Sequence, residues 1–238
     1  MVPLLKSAIT ERVFCGKKFF CLADQSAPDT DVAAIEKRVC NQIIANRCSF
    51  DCGVDAFAGV GISGFLWARC SRRLFLVERR EAALALIRKN LRHIRHPLCN
   101  AQIVHGSARE FLQAGAKAQL SFDLVDLDPF GNCLDLLPIV SQLVRDGVIC
   151  ITTGEIYQIY RGLNRRDGRT SPKRYRGKRA RLWVTEELLP EIAGQLPRSE
   201  IIHFYAYPTS VRVIVRVGSY PIDPRWFEER PKFLSWFE

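Results

Sequence analysis

Apolar residues at Val32, Ile35, Val39 and Ile43 return every three or four positions, which predicts an amphipathic helix starting near Asp31. Beyond it, short apolar runs alternate with helical stripes. Residues 52–57 read as a strand that enters a glycine turn, and the helix it opens lasts to about Cys70. A second strand is predicted at 74–78, before a helix with Leu84, Ile87, Leu91 and Ile94 on one face. A third strand at 101–106 leads into a short helix over 108–114. A fourth at 122–128 precedes a helix over about 134–144, and a fifth covers 148–153. Pro138 must sit in the first turn of its helix or kink it. Five strands separated by helices predict a parallel, doubly wound α/β sheet.

The last third breaks this rhythm. A helix is predicted over 185–196, then strands at 201–207 and 211–217 joined only by Pro208-Thr209-Ser210. So short a connection cannot cross over to a parallel partner, so the two strands pair antiparallel. Residues 1–30, with weak periodicity, read as an N-terminal extension. Residues 31–220 read as one domain with an insertion at 156–184. Residues 221–238 form a tail carrying Trp226, Phe227, Phe233, Trp236 and Phe237. The tail is expected to dock on the core; the alternative is a partner or homodimer surface. Five βα units closed by a hairpin resemble the mostly parallel, Rossmann-like seven-stranded sheet of class I S-adenosylmethionine-dependent methyltransferases.

Composition narrows the class. With 238 residues, 47% hydrophobic and 25% charged, the chain is long and apolar enough for a substantial core, which excludes disordered and low-complexity classes. No apolar run approaches the roughly 20 residues of a membrane span, and the first ten residues lack the features of a signal peptide. Nine cysteines include no C-x-x-C pair. Cys48 and Cys52 have no second pair or nearby His to complete a zinc set, so no metal is expected. Cys52, Cys99 and Cys150 lie in apolar runs as small hydrophobes, which points to a reducing, cytoplasmic setting.

Charge is concentrated. The net charge is +10, and nine of those charges lie between residues 161 and 181. The bases there are Arg161, Arg165, Arg166, Arg169, Lys173, Arg174, Arg176, Lys178, Arg179 and Arg181, against the single acid Asp167. Such a patch is the footprint of a polyanion, nucleic acid above all; a solvated loop is the plain alternative. Tyr157, Tyr160, Tyr175 and Trp183 interleave with it and offer faces for unpaired bases, unless they pack on the sheet. Gly162, Gly168 and Gly177 suggest mobility, and the insertion is expected beside the end of the fourth strand.

Four motifs carry candidate chemistry. Asp55-Ala-Phe57-Ala-Gly59-Val-Gly61-Ile-Ser-Gly64 is a strand, a glycine turn and a helix start, where backbone can approach a ligand without a Cβ in the way. Glu78-Arg79 ends the second strand, and a carboxylate there can accept from both ribose hydroxyls of an adenosine cofactor. These two features serve S-adenosylmethionine and NAD equally, so an NAD-dependent oxidoreductase stays open. His105-Gly106-Ser107-Ala108 ends the third strand, with His105 read as a structural strand histidine. Asp126-Leu127-Asp128-Pro129-Phe130-Gly131 ends the fourth, where ligands bind in open sheets. Methylating an exocyclic amine needs a carboxylate to accept one N–H, a carbonyl for the other, and a ring to stack the base. Asp128, the Asp128 or Pro129 carbonyls, and Phe130 supply that set.

Asp-x-Phe-x-Gly-x-Gly resembles the first motif of class I methyltransferases. The resemblance implies a donor site holding S-adenosyl-L-methionine with Asp55, Phe57, Gly59, Gly61, Glu78, Arg79, Ser107, Ala108 and Asp126. Ser107 stands where those enzymes usually carry an Asp. Asp126 to Gly131 resembles the tRNA guanine N2-dimethyltransferase family, which implies transfer to guanine N2 in tRNA. Members of that family carry a further C-terminal domain, which the roughly 20 residues after the last predicted strand are too few to form. Transfer to a DNA base amine and non-catalytic nucleic-acid binding are the alternatives. DNA amino-methyltransferases more often place a second proline after the first, which this chain lacks.

Overall fold

The computed structural model describes residues 9–14, 17–22, 32–92, 100–129, 131–163 and 173–233. After helix α1 (Val32–Arg47) come β3 (Phe50–Asp55), α2 (Ile62–Cys70), β4 (Ser71–Glu78), α3 (Glu81–Leu91), β5 (Asn100–His105) and α4 (Ala108–Lys117). There follow β6 (Leu124–Leu127), α5 (Leu137–Leu143), β7 (Gly147–Thr153) and α6 (Glu155–Arg161). The chain closes with β8 (Ser199–Tyr207) and β9 (Ser210–Val217). Seven strands form one sheet in the order β5-β4-β3-β6-β7-β9-β8. The first five are parallel; β9 lies antiparallel between β7 and β8. The expected architecture is therefore present. Pro138 sits in the first turn of α5, where its missing N–H has no helical partner to lose.

Strand alternation divides the core into two layers. On β7, Val148 and Cys150 face the layer that holds Phe65 and Trp67 of α2, while Ile149 and Ile151 face the layer with Leu112, Leu137 and Ile192. Cys52 and Cys150 are buried, as their apolar settings imply; Cys99 lies outside the described residues. No helix among the described residues is long and apolar enough to cross a membrane.

Two elements differ from expectation. The N-terminal extension contains an antiparallel hairpin, β1 (Ile9–Phe14) with β2 (Lys17–Leu22). Phe19 and Cys21 are buried, and Phe19 meets Phe65 edge-on at 5.3 Å. Asn90 of α3 fastens the hairpin to the body: it accepts from Phe20 N at 2.9 Å and donates to Phe20 O at 3.0 Å and Val60 O at 2.8 Å. No period-2 run announces these strands, because Lys17-Lys18 precede an unbroken apolar run, Phe19-Phe20-Cys21-Leu22. The helix expected over 185–196 begins earlier, as α7 (Ala180–Trp183), a π turn (Val184–Leu188) and α8 (Leu189–Gln195). Ala180, Trp183, Val184, Leu188 and Ile192 bury one side of that run, and Lys178, Arg179 and Arg181 around Ala180 conceal its start in the sequence.

The described part of the tail docks on the core. Phe227 is buried and stacks on His203 at 5.2 Å, Arg47 lies over Trp226 at 5.2 Å, and Phe233 meets Phe204 edge-on at 5.7 Å. Trp236 and Phe237 lie outside the described residues. His203 is only 4% exposed, and its Nε2 has no hydrogen-bond partner among the described residues. Burial, aided by Lys232 and Arg230 against the pull of Glu36, lowers the imidazole to about 4. The native state thus holds a neutral ring, while the unfolded chain takes up a proton near pH 6.5. Stability from this group is complete above that pH and declines as pH falls toward 4. Urea unfolding at pH 7.5 and 4.5 is expected to show wild type losing a few kcal/mol more than His203→Leu; equal losses refute the buried neutral imidazole. His203, Glu36 and Cys40 also form a close His/acid/Cys group, which the sequence reading did not anticipate. Arg230 occupies both oxygens of that Glu36.

Candidate active site

Parallel strands deliver their C-terminal ends to one edge of the sheet, and three motifs converge there. Between β3 and α2 the chain turns through Gly59 (φ +56°) and Gly61 (φ +88°), conformations that disfavour any residue with a Cβ. Gly64 serves a different need: a Cβ there would lie 2.7 Å from Leu76 Cδ2, so its absence lets α2 pack closely on β4. Glu78 ties the turn to β4, since its carboxylate accepts from Gly59 N at 2.9 Å and Arg80 N at 2.7 Å. Ser107 caps α4: its hydroxyl accepts from Glu110 N at 3.2 Å and donates to the Glu110 carboxylate at 2.9 Å.

These pieces line a cavity of about 420 Å³, of a size suited to a small cofactor. Phe57, Gly59, Glu78, Arg79, Ser107, Ala108, Asp128 and Pro129 all contribute to its wall. Arg109 and Asp135, also in the wall, form an ion pair. A Cβ on Gly106 would meet nothing within 4 Å, so the backbone there borders open space. A carboxylate acceptor at the end of β4, glycine backbone without side chains and a capped helix start are the groups an adenosine-containing cofactor needs. S-adenosylmethionine fits these residues.

The acids at the strand ends are held unequally. Asp55 pairs in register with Asp126 across β3 and β6. Asp55 is buried; Oδ1 accepts from Phe57 N at 3.3 Å, and Oδ2 has no partner among the described residues. Burial, with Asp126 and Asp128 nearby, pushes its carboxyl well above the usual range. Asp126 is inaccessible too, but compensated: Arg212 of β9 donates to Oδ1 at 3.1 Å and Trp67 Nε1 to Oδ2 at 2.8 Å. The same guanidinium reaches Thr152 Oγ1 and Asn41 Oδ1, both at 2.7 Å. Asp128 retains 19% side-chain exposure, and Lys37 Nζ of α1 sits 2.5 Å from its Oδ2. Burial acts to raise Asp128, but Lys37, Arg212 and a Thr152 hydrogen bond outweigh it and hold the carboxyl below its ordinary range. The site therefore presents an ionised acid at the cavity wall above two buried ones.

A family model described as N2,N2-dimethylguanosine tRNA methyltransferase matches residues 17–160, more than half of the chain. The chain belongs to this family. Among solved structures, Trm1 from Pyrococcus horikoshii with S-adenosyl-L-methionine is 18% identical, with a TM-score of 0.71 over 91% of this chain and 63% of that one. Trm5b from Pyrococcus abyssi gives 16%, 0.57, 88% and 56%; TYW2 from M. jannaschii with AdoMet gives 15%, 0.54, 88% and 85%. These likenesses are of fold. The chain spans 63% of the length of the Trm1 structure it matches. No curated protein matches in sequence.

Within this N2,N2-dimethylguanosine tRNA methyltransferase family member, the structure gathers some expected site residues and not others. Asp55, Gly61 and Asp126 are absent from the cavity wall; Asp55 and Asp126 lie buried behind it. Phe130, Arg165, Arg166 and Arg169 lie outside the described residues. His105 is an exposed residue of β5 whose Nε2 lies 3.1 Å from Arg79 O. Just before the insertion, Gly154 N donates to Gly131 O at 2.7 Å, which ties the end of β7 to the loop that follows Asp128. Its described bases, Arg161, Lys173, Arg174, Arg176, Lys178, Arg179 and Arg181, are all exposed. Arg174 pairs with Glu187 at 2.9 Å. Tyr175 and Trp183 are buried, 1% exposed each, which removes their faces from any stacking role; Tyr157 stays 42% exposed. Lys37, Asn41, Thr152 and Arg212 escaped the sequence reading. Arg212 alone left a trace there, as a charge inside the apolar run of a central strand, where burial on both faces demands a partner.

Proposed function

We propose that this chain transfers methyl groups from S-adenosylmethionine to the exocyclic amine of guanine, N2, in tRNA. Family membership supports the substrate. The observation that carries the chemistry is the ionised Asp128 on the wall of the cavity that Gly59 and Glu78 also line. When bound, the cofactor supplies an electrophilic methyl on a sulfonium. Glu78, Gly59 and the Ser107-Ala108 turn hold its adenosine part. Asp128 accepts a hydrogen bond from the guanine amine, aims the nitrogen lone pair, and takes the proton that the nitrogen loses on gaining its methyl. A carbonyl of Asp128 or Pro129 accepts the amine's second hydrogen, and Phe130 stacks the base. Catalysis of this kind is positional and electrostatic. A base within a paired stem must first leave the stack.

Incubation with labelled S-adenosylmethionine and, in parallel, tRNA, rRNA and genomic DNA, followed by nucleoside analysis, tests the reading. Label is expected in N2-methylated guanosine from tRNA; label only in DNA, or in none, refutes it.

The exposed bases beside the site grip the RNA backbone. Replacing Arg161, Lys173, Lys178, Arg179 and Arg181 with Gln is expected to weaken tRNA binding and reduce the slope of log K against log salt by about four. Arg174 is left in place because Glu187 already engages it. An unchanged slope in filter binding across a salt series excludes the insertion from the interface.

A further inference from the structure

Helix α1 aims two side chains at the acidic strand edge. Lys37 and Asn41 are four residues apart and so share a helix face. Asn41 accepts from Arg212 Nη2, and Lys37 reaches Asp128. The acid beside Lys37 in sequence, Glu36, does not compete for it, because Arg230 holds Glu36 with two donors. Lys37 is 27% exposed, so a cation with access to water instead spends its side-chain freedom on one carboxylate.

We propose, building on the function above, that Lys37 is a positioning residue: it anchors Oδ2 of Asp128 and so sets the angle at which the carboxylate meets the acceptor amine. A carboxylate has about four lone-pair sites. Lys37 takes one, and the remainder stay available for the N–H of the base. Fixing the plate of the carboxylate matters because displacements of about 1 Å cost roughly a hundredfold in rate. Lys37 also favours the ionised form. Other titratable or charged groups that face Asp128 are Arg212 of β9, which shares that effect, Asp55 of β3, which opposes it, and the buried Cys133 and Tyr205.

The test uses the whole chain with Lys37→Met and Lys37→Arg. Carbon-13 NMR of labelled aspartates, with Asp128 assigned through Asp128→Asn, follows the carboxyl titration without cofactor. Lys37→Met is expected to move the Asp128 midpoint to higher pH, and Lys37→Arg to keep it near wild type. In steady state, Lys37→Met is expected to lower kcat roughly tenfold to a hundredfold. It moves the acid limb of the kcat profile to higher pH, with KM for tRNA and affinity for S-adenosylhomocysteine nearly unchanged, and Lys37→Arg recovers most of the rate. In an active wild type, an unmoved midpoint or an unmoved kcat overturns the positioning role and leaves the proposed function intact. A wild type that methylates no nucleic acid overturns both.

Discussion

Asp128→Asn is expected to lower methyl transfer to tRNA by about a thousandfold while calorimetry with S-adenosylhomocysteine records nearly unchanged binding. The amide keeps the shape of the acid and one acceptor oxygen but loses the charge, and with it the capacity to take the proton that methylation releases. Lys37 then faces a neutral group. At 27% exposure its ammonium can turn to water, so the fold is expected to survive. Asp128→Ala is expected to behave alike in rate. Equal loss of binding and turnover in both variants reduces Asp128 to a structural residue and removes the acid from the chemistry.

The second large effect is on stability. Arg212 is inaccessible to water and is held by Asp126, Thr152 and Asn41. Burial acts against its charge, but Asp126 and Asp128 more than offset it and raise the guanidinium well above its usual range. Arg212→Met takes the guanidinium away from the buried Asp126 and leaves Trp67 Nε1 as its only side-chain donor among the described residues, beside Asp55. Breaking a buried pair in this way costs about 3–5 kcal/mol. For a chain of this size that lowers Tm by about 10 °C. Asp126→Asn added to Arg212→Met is expected to recover a measurable part of the loss, because the uncompensated charge is gone. Differential scanning calorimetry reads both. A Tm within about 2 °C of wild type for the single variant contradicts the buried pair.

The legible parts of this protein share one property: each is contiguous in the chain. Strand and helix periods are local, so the five βα units and the closing hairpin could be read from hydrophobic spacing. The Gly59–Gly64 turn, Glu78 at a strand end and Asp126-Leu-Asp-Pro could be read too, because a turn or a strand tip needs its residues side by side. The N-terminal hairpin could not, since its strands lack alternation and depend on Asn90, 70 residues away, for their hold on the body. The same distinction separates the gatherable site from its supports.

From sequence alone come the fold class, the cofactor turn, the acid at the fourth strand tip and the concentration of positive charge after the fifth. Folding decides the remainder: that Asp126 is compensated, Asp55 is not, and Asp128 stays ionised. Those states depend on Lys37 and Arg212, which lie 91 and 86 residues from the acids they meet. Electrostatic character is set by distance through space and by removal from water, and neither is recorded in the spacing of residues along a chain.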